Sequence, residues 1–334
     1  MQVAVLGAGS WGTALALVLA QNGHSVPLWG HRAEHIAQLQ TTGQNRRYLP
    51  GISLPKAIRP TSRLDEALNG TTQLIVAVPS HAFRATLTQI AALKPSLEGL
   101  TWATKGLELE TGCLLHQVVE SIFGSVTPAA VLSGPSFAGE VARGQPTAVT
   151  VASTCAAHTH RLVSLFHTAH FRPYSHSDVV GVELGGAIKN VLAIAAGLAD
   201  GLGFGANARA ALITRGLREM IRLGTDLGGR ADTLMGLSGV GDLILTATDN
   251  QSRNRRFGQG LGQGLDRDQI IATIGQEIEG IPTARILWQL AINRGIDMPI
   301  TEQVFKILYE GLPPREAVGN LLLRDPKPES DLDA

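Results

Sequence analysis

Cysteine is scarce in this chain: Cys113 and Cys155 are the only two in 334 residues. Two thiols in so long a chain exclude a disulfide framework, and neither belongs to a CxxC pair or stands beside ligand-spaced histidines. Reduced, buried thiols are the expectation. An excess of charge of either sign is also missing, because 28 basic side chains balance 28 acidic ones. That balance removes the general electrostatic case for a nucleic acid or an anionic membrane as partner, so any basic site must be local. The most apolar helical stretch, Val191 to Leu198, falls short of the roughly 20 residues that span a bilayer. No basic leader precedes the first apolar run. A cytoplasmic protein with no membrane partner is expected. Trp11, Trp29, Trp102 and Trp288 stand singly, so no aromatic ladder offers itself to nucleobases. The pairs His31/His35, His158/His160 and His167/His170 lack a third clustered ligand, and no metal is expected.

What is present is an alternation. Short β-rich runs at Val3–Leu6, Val26–Trp29, Leu74–Val78, Leu100–Thr104, Ala130–Leu132 and Ala148–Val151 are separated by amphipathic segments. This pattern predicts a parallel sheet covered by helices. From about Ser177 the texture turns to Ala, Leu, Gly and Arg at helical spacing. The length also favours two cores. The division expected is residues 1–180 as an α/β domain, 181–323 as an all-helical domain with a last helix beginning near Pro313-Pro314, and 324–334 as a polar, disordered tail.

The first run leads into Gly7-Ala8-Gly9-Ser10-Trp11-Gly12, a GxGxxG between a hydrophobic strand and the helix-forming run Thr13 to Ala20. In that setting Gly7 permits a tight turn, Gly9 lets a pyrophosphate approach the backbone, and Gly12 lets helix pack on strand. A Rossmann-type doubly wound sheet binding a dinucleotide is the reading. At the end of the second run, where an acid would accept a ribose 2′-hydroxyl, stand His31 and Arg32. They favour NADPH over NADH, although Arg32 also fits a solvated residue at a helix start.

Other segments carry chemistry. Lys105 follows a buried strand, near the sheet edge where open α/β folds place ligands, and it also fits a solvated loop. Gly134 and Ser136 lie in a small-residue segment able to offer N–H groups to an oxyanion, or Ser136 caps a helix containing Glu140. Lys189 sits inside the apolar run Gly185 to Leu192; desolvation lowers a lysine pKa toward the range that ketone reduction needs in a proton donor. A snorkelling lysine or a structural ion pair are its alternatives. Asp242, in a glycine-rich turn, could orient Lys189 or cap a helix. Finally, Ser252-Arg253-Asn254-Arg255-Arg256 puts three arginines in a dense anion site suited to a phosphate, or in a solvated basic turn.

Taken together, Gly7 to Ala14, Leu28 to Arg32, Ser133 to Ala138, Gly186 to Asn190 and Ser252 to Asn254 resemble the bacterial-type NAD(P)-dependent glycerol-3-phosphate dehydrogenases, from the first strand to about residue 323. The resemblance implies that Ser10, Trp11, His31, Arg32, Lys105, Ala138, Arg253 and Glu279 contact NADP or NAD. It implies that Lys105, Gly134, Ser136, Asp242, Ser252, Arg253 and Asn254 line the pocket for a small phosphorylated substrate, and that Lys189 exchanges the proton. A helical second domain, a cytosolic homodimer and supply of glycerol 3-phosphate to phospholipid synthesis are implied as well. Glu277 has no matched role. Other two-domain reductases, such as β-hydroxyacid or ketopantoate enzymes, would share the fold and the helical lysine but not the arginine-rich loop. A nucleotide-sensing protein without turnover would not need Lys105 and Lys189 together.

Overall fold

The computed structural model describes residues 1–125 and 127–324. Eight strands, β1 (Val3–Leu6), β2 (Val26–Trp29), β3 (Ile58–Thr61), β4 (Gln73–Val76), β5 (Gly99–Trp102), β6 (Ala129–Ser133), β7 (Thr147–Ala152) and β8 (Phe171–His176), form one sheet in the order β3-β2-β1-β4-β5-β6-β7-β8. Between them run α1 (Ser10–Gln21), α2 (Ala33–Thr42), α3 (Leu64–Leu68), α4 (Ser80–Ala92), α5 (Leu115–Phe123), α6 (Ala138–Ala142) and α7 (Ala156–Phe166). Val3, Ala4, Val5 and Leu6 are all fully buried, as a central strand covered on both faces requires. Strand succession reverses between β1 and β4, which opens a crevice at their carboxyl ends, the place where such sheets bind ligands.

All six expected strands occur, two with the expected ends and four with ends shifted by one or two residues. The sheet is not parallel throughout: β7 runs antiparallel to β6, and β8 runs parallel to β7. Neither β3 nor β8 belongs to the expected set. Both are edge strands, each carries a proline (Pro60, Pro173), and the outward positions are exposed, so neither shows a continuous apolar run.

After β8 the described chain is helical: α8 (Val179–Gly201), α9 (Ala206–Asp226), α10 (Ala231–Leu234), a π-helical turn at Leu237–Gly241, α11 (Asp242–Thr248), α12 (Arg253–Gly262), α13 (Arg267–Ile274), α14 (Gly280–Arg294), α15 (Pro299–Tyr309) and α16 (Pro314–Leu322). Apart from Arg324, the expected tail lies outside the described residues. The apolar run read as Val191 to Leu198 belongs to a helix of 23 residues, α8, long and apolar enough by length and composition to cross a bilayer. Its apolar side chains are instead the centre of the helical core, with Ile188, Leu192 and Ile194 fully buried among residues of the helices that follow.

Glycines set how closely those helices approach. A Cβ on Gly197 or Gly201 of α8 would collide with the backbone of Arg255 or Gln259 in α12, and one on Gly258 or Gly262 of α12 would collide with the carbonyls of Ile194 or Leu198. The two helices therefore pack backbone against backbone. Any bulk at the seam would push the start of α12 away from the middle of α8, and both places carry residues of the site.

Candidate active site

The glycine loop occupies the turn between β1 and α1. Gly7 has φ of +120°, a conformation that side chains disfavour, and a Cβ there would strike the Ala77 carbonyl group after β4. Gly12 packs so closely that a Cβ would overlap the Gly7 carbonyl. Gly9 is different: a Cβ there would meet nothing within 4 Å, so protein packing makes no demand for glycine at that position. A pyrophosphate lying on the backbone does make that demand, beside the N-terminus of α1. The Trp11 indole N–H is buried without a hydrogen-bond partner. His31 and Arg32 are exposed just beyond β2, with Arg32 in the N-cap position of α2. These residues fit a dinucleotide.

Past the carboxyl ends of β5 and β6, Lys105 meets two groups from different parts of the chain. Its Nζ donates to the Gly134 carbonyl at 3.1 Å and to Asp242 Oδ2 at 2.6 Å. Gly134 has φ of +137°, and its carbonyl also accepts from Ser136 Oγ at 2.9 Å. Ser136 therefore does not cap a helix; Phe137 takes the N-cap position of α6, whose first residue is Ala138. Gly186 of α8 packs against Ser133, whose Oγ an added Cβ would approach to 2.9 Å, and the Lys105 stem lies in ordinary contact beside it.

The other oxygen of Asp242 belongs to Lys189. Lys189 Nζ donates to Asp242 Oδ1 at 2.5 Å and to Thr246 Oγ1 at 2.9 Å. Asp242 opens α11 directly after the π-helical turn, and Thr246 follows one helical turn later on the same face. Asp242 thus bridges two lysines and does not act as a helix cap. Both Lys189 and Asp242 are almost fully buried, at 7% and 1% exposure. Burial, with the Lys105 charge beside it, lowers Lys189 to a pKa of about 8 although Asp242 pulls it upward. Burial likewise pushes the Asp242 carboxyl up, but the two lysines outweigh it and hold the group below the usual carboxylate range. One buried carboxylate between two ammonium groups leaves an uncompensated positive charge. That arrangement makes the Lys189 proton easier to release and favours an anionic oxygen beside the lysines.

The three arginines of the basic segment part company. Arg255 is buried in an ion pair with Asp200 of α8 at 2.5 Å and also donates to Asn250. Arg256 is exposed on another side of α12, beside Gln259 and Gln269. A dense triple-arginine anion site is therefore not formed, because helical rotation carries consecutive side chains to different faces. Of the three, Arg253 is the one set against Glu279, whose carboxyl is raised by burial against the pull of Arg253, Lys105 and Lys189. Ser252 caps α12 by accepting from Arg255 N at 3.2 Å. Asn254 is buried, donating to Asn190 Oδ1 and accepting from Gly280 N, each at 2.9 Å. It ties α8, α12 and α14 together at the beginning of α12. Glu277 lies 3.6 Å from His81, both half-exposed.

Two residues were missed by sequence reasoning. Thr246 carried a usable signal, its i+4 spacing from Asp242. Asn45 carried none: only the fold shows its amide donating to the Ala8 carbonyl at 3.0 Å and to Thr13 Oγ1 at 2.8 Å, against the glycine loop.

Comparison with known proteins agrees with this geometry. Residues 2–159 match the family described as NAD-dependent glycerol-3-phosphate dehydrogenase N-terminus, and residues 178–319 match its C-terminus. The chain is 58% identical over 330 residues to glycerol-3-phosphate dehydrogenase [NAD(P)+] of Methylococcus capsulatus, covering 98% of each, and 56% identical over 327 residues to that of Thioalkalivibrio sulfidiphilus, again covering 98% of each. The crystal structure of glycerol-3-phosphate dehydrogenase from Coxiella burnetii superposes with a TM-score of 0.94 at 48% identity, covering 97% of this chain and 99% of that one. A glycine loop at the carboxyl end of the central strand β1 and a buried two-lysine centre past the carboxyl ends of β5 and β6 are therefore found in a chain that, in both halves, belongs to the NAD-dependent glycerol-3-phosphate dehydrogenase family.

Proposed function

We propose that the chain uses NAD or NADP to interconvert dihydroxyacetone phosphate and sn-glycerol 3-phosphate, feeding glycerophospholipid synthesis. The observation that carries this reading is Asp242 held between Lys105 and Lys189 at the carboxyl edge of a sheet whose first turn fits a dinucleotide. A bound nicotinamide supplies the hydride for reduction and accepts it in the reverse direction.

The residues divide the remaining work. Ser10, Trp11 and the α1 N-terminus hold the pyrophosphate region, with Ala138, Glu279 and the His31-Arg32 pair along the rest of the cofactor. Arg253, with the free backbone N–H groups at the start of α12 and the unused amide hydrogen of Asn254, binds the substrate phosphate, supported by the α12 dipole. Ser252 shapes that helix start. Lys105, anchored on Gly134 beside Ser136, orients the carbonyl oxygen. Lys189, with a pKa of about 8, delivers a proton to that oxygen in reduction and recovers it in oxidation. Asp242 fixes both lysines, and burial excludes competing water.

The same reading divides the chain into a dinucleotide-binding part, 1–180, and a helical part, 181–323. Its support is that β8 ends at His176 and every later described element is a helix. A homodimer and a cytoplasmic setting rest on the resemblance to the family. The test of function is purified protein with dihydroxyacetone phosphate and NADPH or NADH, followed by nicotinamide absorbance. Oxidation with at least one cofactor is expected, and none with either would overturn the reading.

A further inference from the structure

The segment between α2 and β3 holds two arginines, Arg46 and Arg47, that the site described so far does not use. Three contacts tie it to the dinucleotide end of the sheet. Asn45, 1% exposed, donates to the Ala8 carbonyl of the glycine loop and to Thr13. His35, one turn after Arg32 on α2, places Nε2 3.2 Å from the same Ala8 carbonyl. The Tyr48 ring meets the His35 ring edge-on at 5.2 Å, and the Arg47 guanidinium lies over the Tyr48 ring at 5.4 Å from its centre. The chain Arg47, Tyr48, His35, Ala8 thus fixes Arg47 relative to the glycine loop, while Arg32 stands on the same turn of α2 as His35.

Charge follows the same geometry. Arg47 makes no ion pair or hydrogen bond among the described residues and is held by the ring alone. Among the described residues the Arg32 side chain bonds only to neighbouring His31. His35 is lowered by burial and further by Arg47, Arg32 and His31, so it stays neutral while the two guanidinium groups carry the local charge. Two cations without carboxylate partners among the described residues, one at the N-cap of α2 and one on an anchored loop, both act on His35, near the end of β2 where such sheets place the ribose of a dinucleotide.

We propose that Arg47 is a specificity-determining residue that, opposite Arg32, clamps the 2′-phosphate of NADP. Guanidinium forks bind a phosphate through paired oxygens, and approach from two sides satisfies all three of its terminal oxygens. The ring under Arg47 keeps the fork aimed without neutralising it. The inference rests on the dinucleotide reading of the glycine loop and adds to it a preference for the 2′-phosphorylated cofactor.

The test is equilibrium binding of NADP+ and NAD+ by calorimetry to wild type, Arg47→Ala, Arg47→Lys and Arg46→Ala. Wild type is expected to bind NADP+ more tightly. Arg47→Ala should weaken NADP+ on the order of ten- to a hundredfold, the range for charge-assisted hydrogen bonds, and leave NAD+ within a factor of about two. Arg47→Lys should recover part of the loss. Arg46→Ala removes the same charge one position away and should cost NADP+ much less. Equal losses in Arg46→Ala and Arg47→Ala, or parallel losses of both nucleotides in Arg47→Ala, would overturn the clamp while leaving the dinucleotide reading standing. A wild type that binds neither nucleotide would overturn both.

Discussion

The Lys189 ammonium lies 2.5 Å from Asp242 Oδ1, and these side chains are 9% and 1% exposed. A lysine in that setting feels two opposed effects: desolvation disfavours its charge, and the carboxylate favours it. Desolvation, aided by Lys105, wins, and Lys189 comes to about 8 instead of the ordinary 10.5. It is thereby protonated at neutral pH yet able to release its proton at modest cost, as a donor to an alkoxide must be.

The pH profile follows from that balance. Reduction needs protonated Lys189, so its rate should hold at neutral pH and fall as pH rises through about 8, whereas oxidation should rise over the same interval. In Asp242→Asn the attraction that holds the proton is gone, so the falling limb should move to lower pH. A limb that stays in place, measured as kcat against pH, would show that Asp242 does not govern this proton.

Thr246 gives Lys189 its second partner. Thr246→Val removes that hydroxyl with little change of shape, a loss of about 1 kcal/mol and hence roughly fivefold in kcat. KM for the substrate should stay near wild type, because Thr246 touches the proton donor and not the phosphate. Steady-state kinetics at saturating cofactor separates these outcomes.

Arg253 and Arg255 should behave oppositely although only one residue separates them. Arg253→Ala should raise KM for dihydroxyacetone phosphate by on the order of ten- to a hundredfold with an unchanged melting temperature. Arg255→Ala removes one of the two ion pairs of the Asp200 carboxylate, which keeps Arg209 at 2.8 Å, and should destabilise the fold by about 1.5–3 kcal/mol, read in denaturant melts. Similar effects of the two changes on KM would contradict the separation of their faces.

The α8–α12 seam is a packing prediction. Gly258→Ala drives a methyl into the Ile194 carbonyl, and a separation of the helices should cost about 1–3 kcal/mol. Because α12 carries Arg253, KM for the substrate should rise along with the loss of stability. Gly319→Ala, on α16 with nothing within 4 Å of the added methyl, is the control: it should leave KM unchanged and raise stability by about 0.5–1 kcal/mol, the helix preference for alanine without a clash.

The glycine loop was legible because its function imposes a local pattern: strand, three glycines, helix. Lys189 was legible because a charged side chain inside an apolar helix conflicts with its surroundings. Arg253 could not be separated from Arg255 and Arg256 by sequence, since which face of α12 meets α8 depends on glycine contacts between distant segments. Thr246 offers only its i+4 spacing from Asp242, and its role shows once Lys189 is brought against both. Asn45 lies 32 positions from Thr13, a pairing that no local spacing encodes. The edge strands β3 and β8 were hidden for a different reason: an edge needs neither two buried faces nor a full row of N–H donors, so proline and exposed charge are compatible with it.

The most direct test of the central claim is single-turnover reduction of dihydroxyacetone phosphate by saturating NADPH, comparing wild type with Lys189→Ala. Loss of the proton donor should slow the chemical step by about 100- to 10,000-fold while NADPH still binds. A Lys189→Ala protein that turns over at close to the wild-type rate would contradict the assignment.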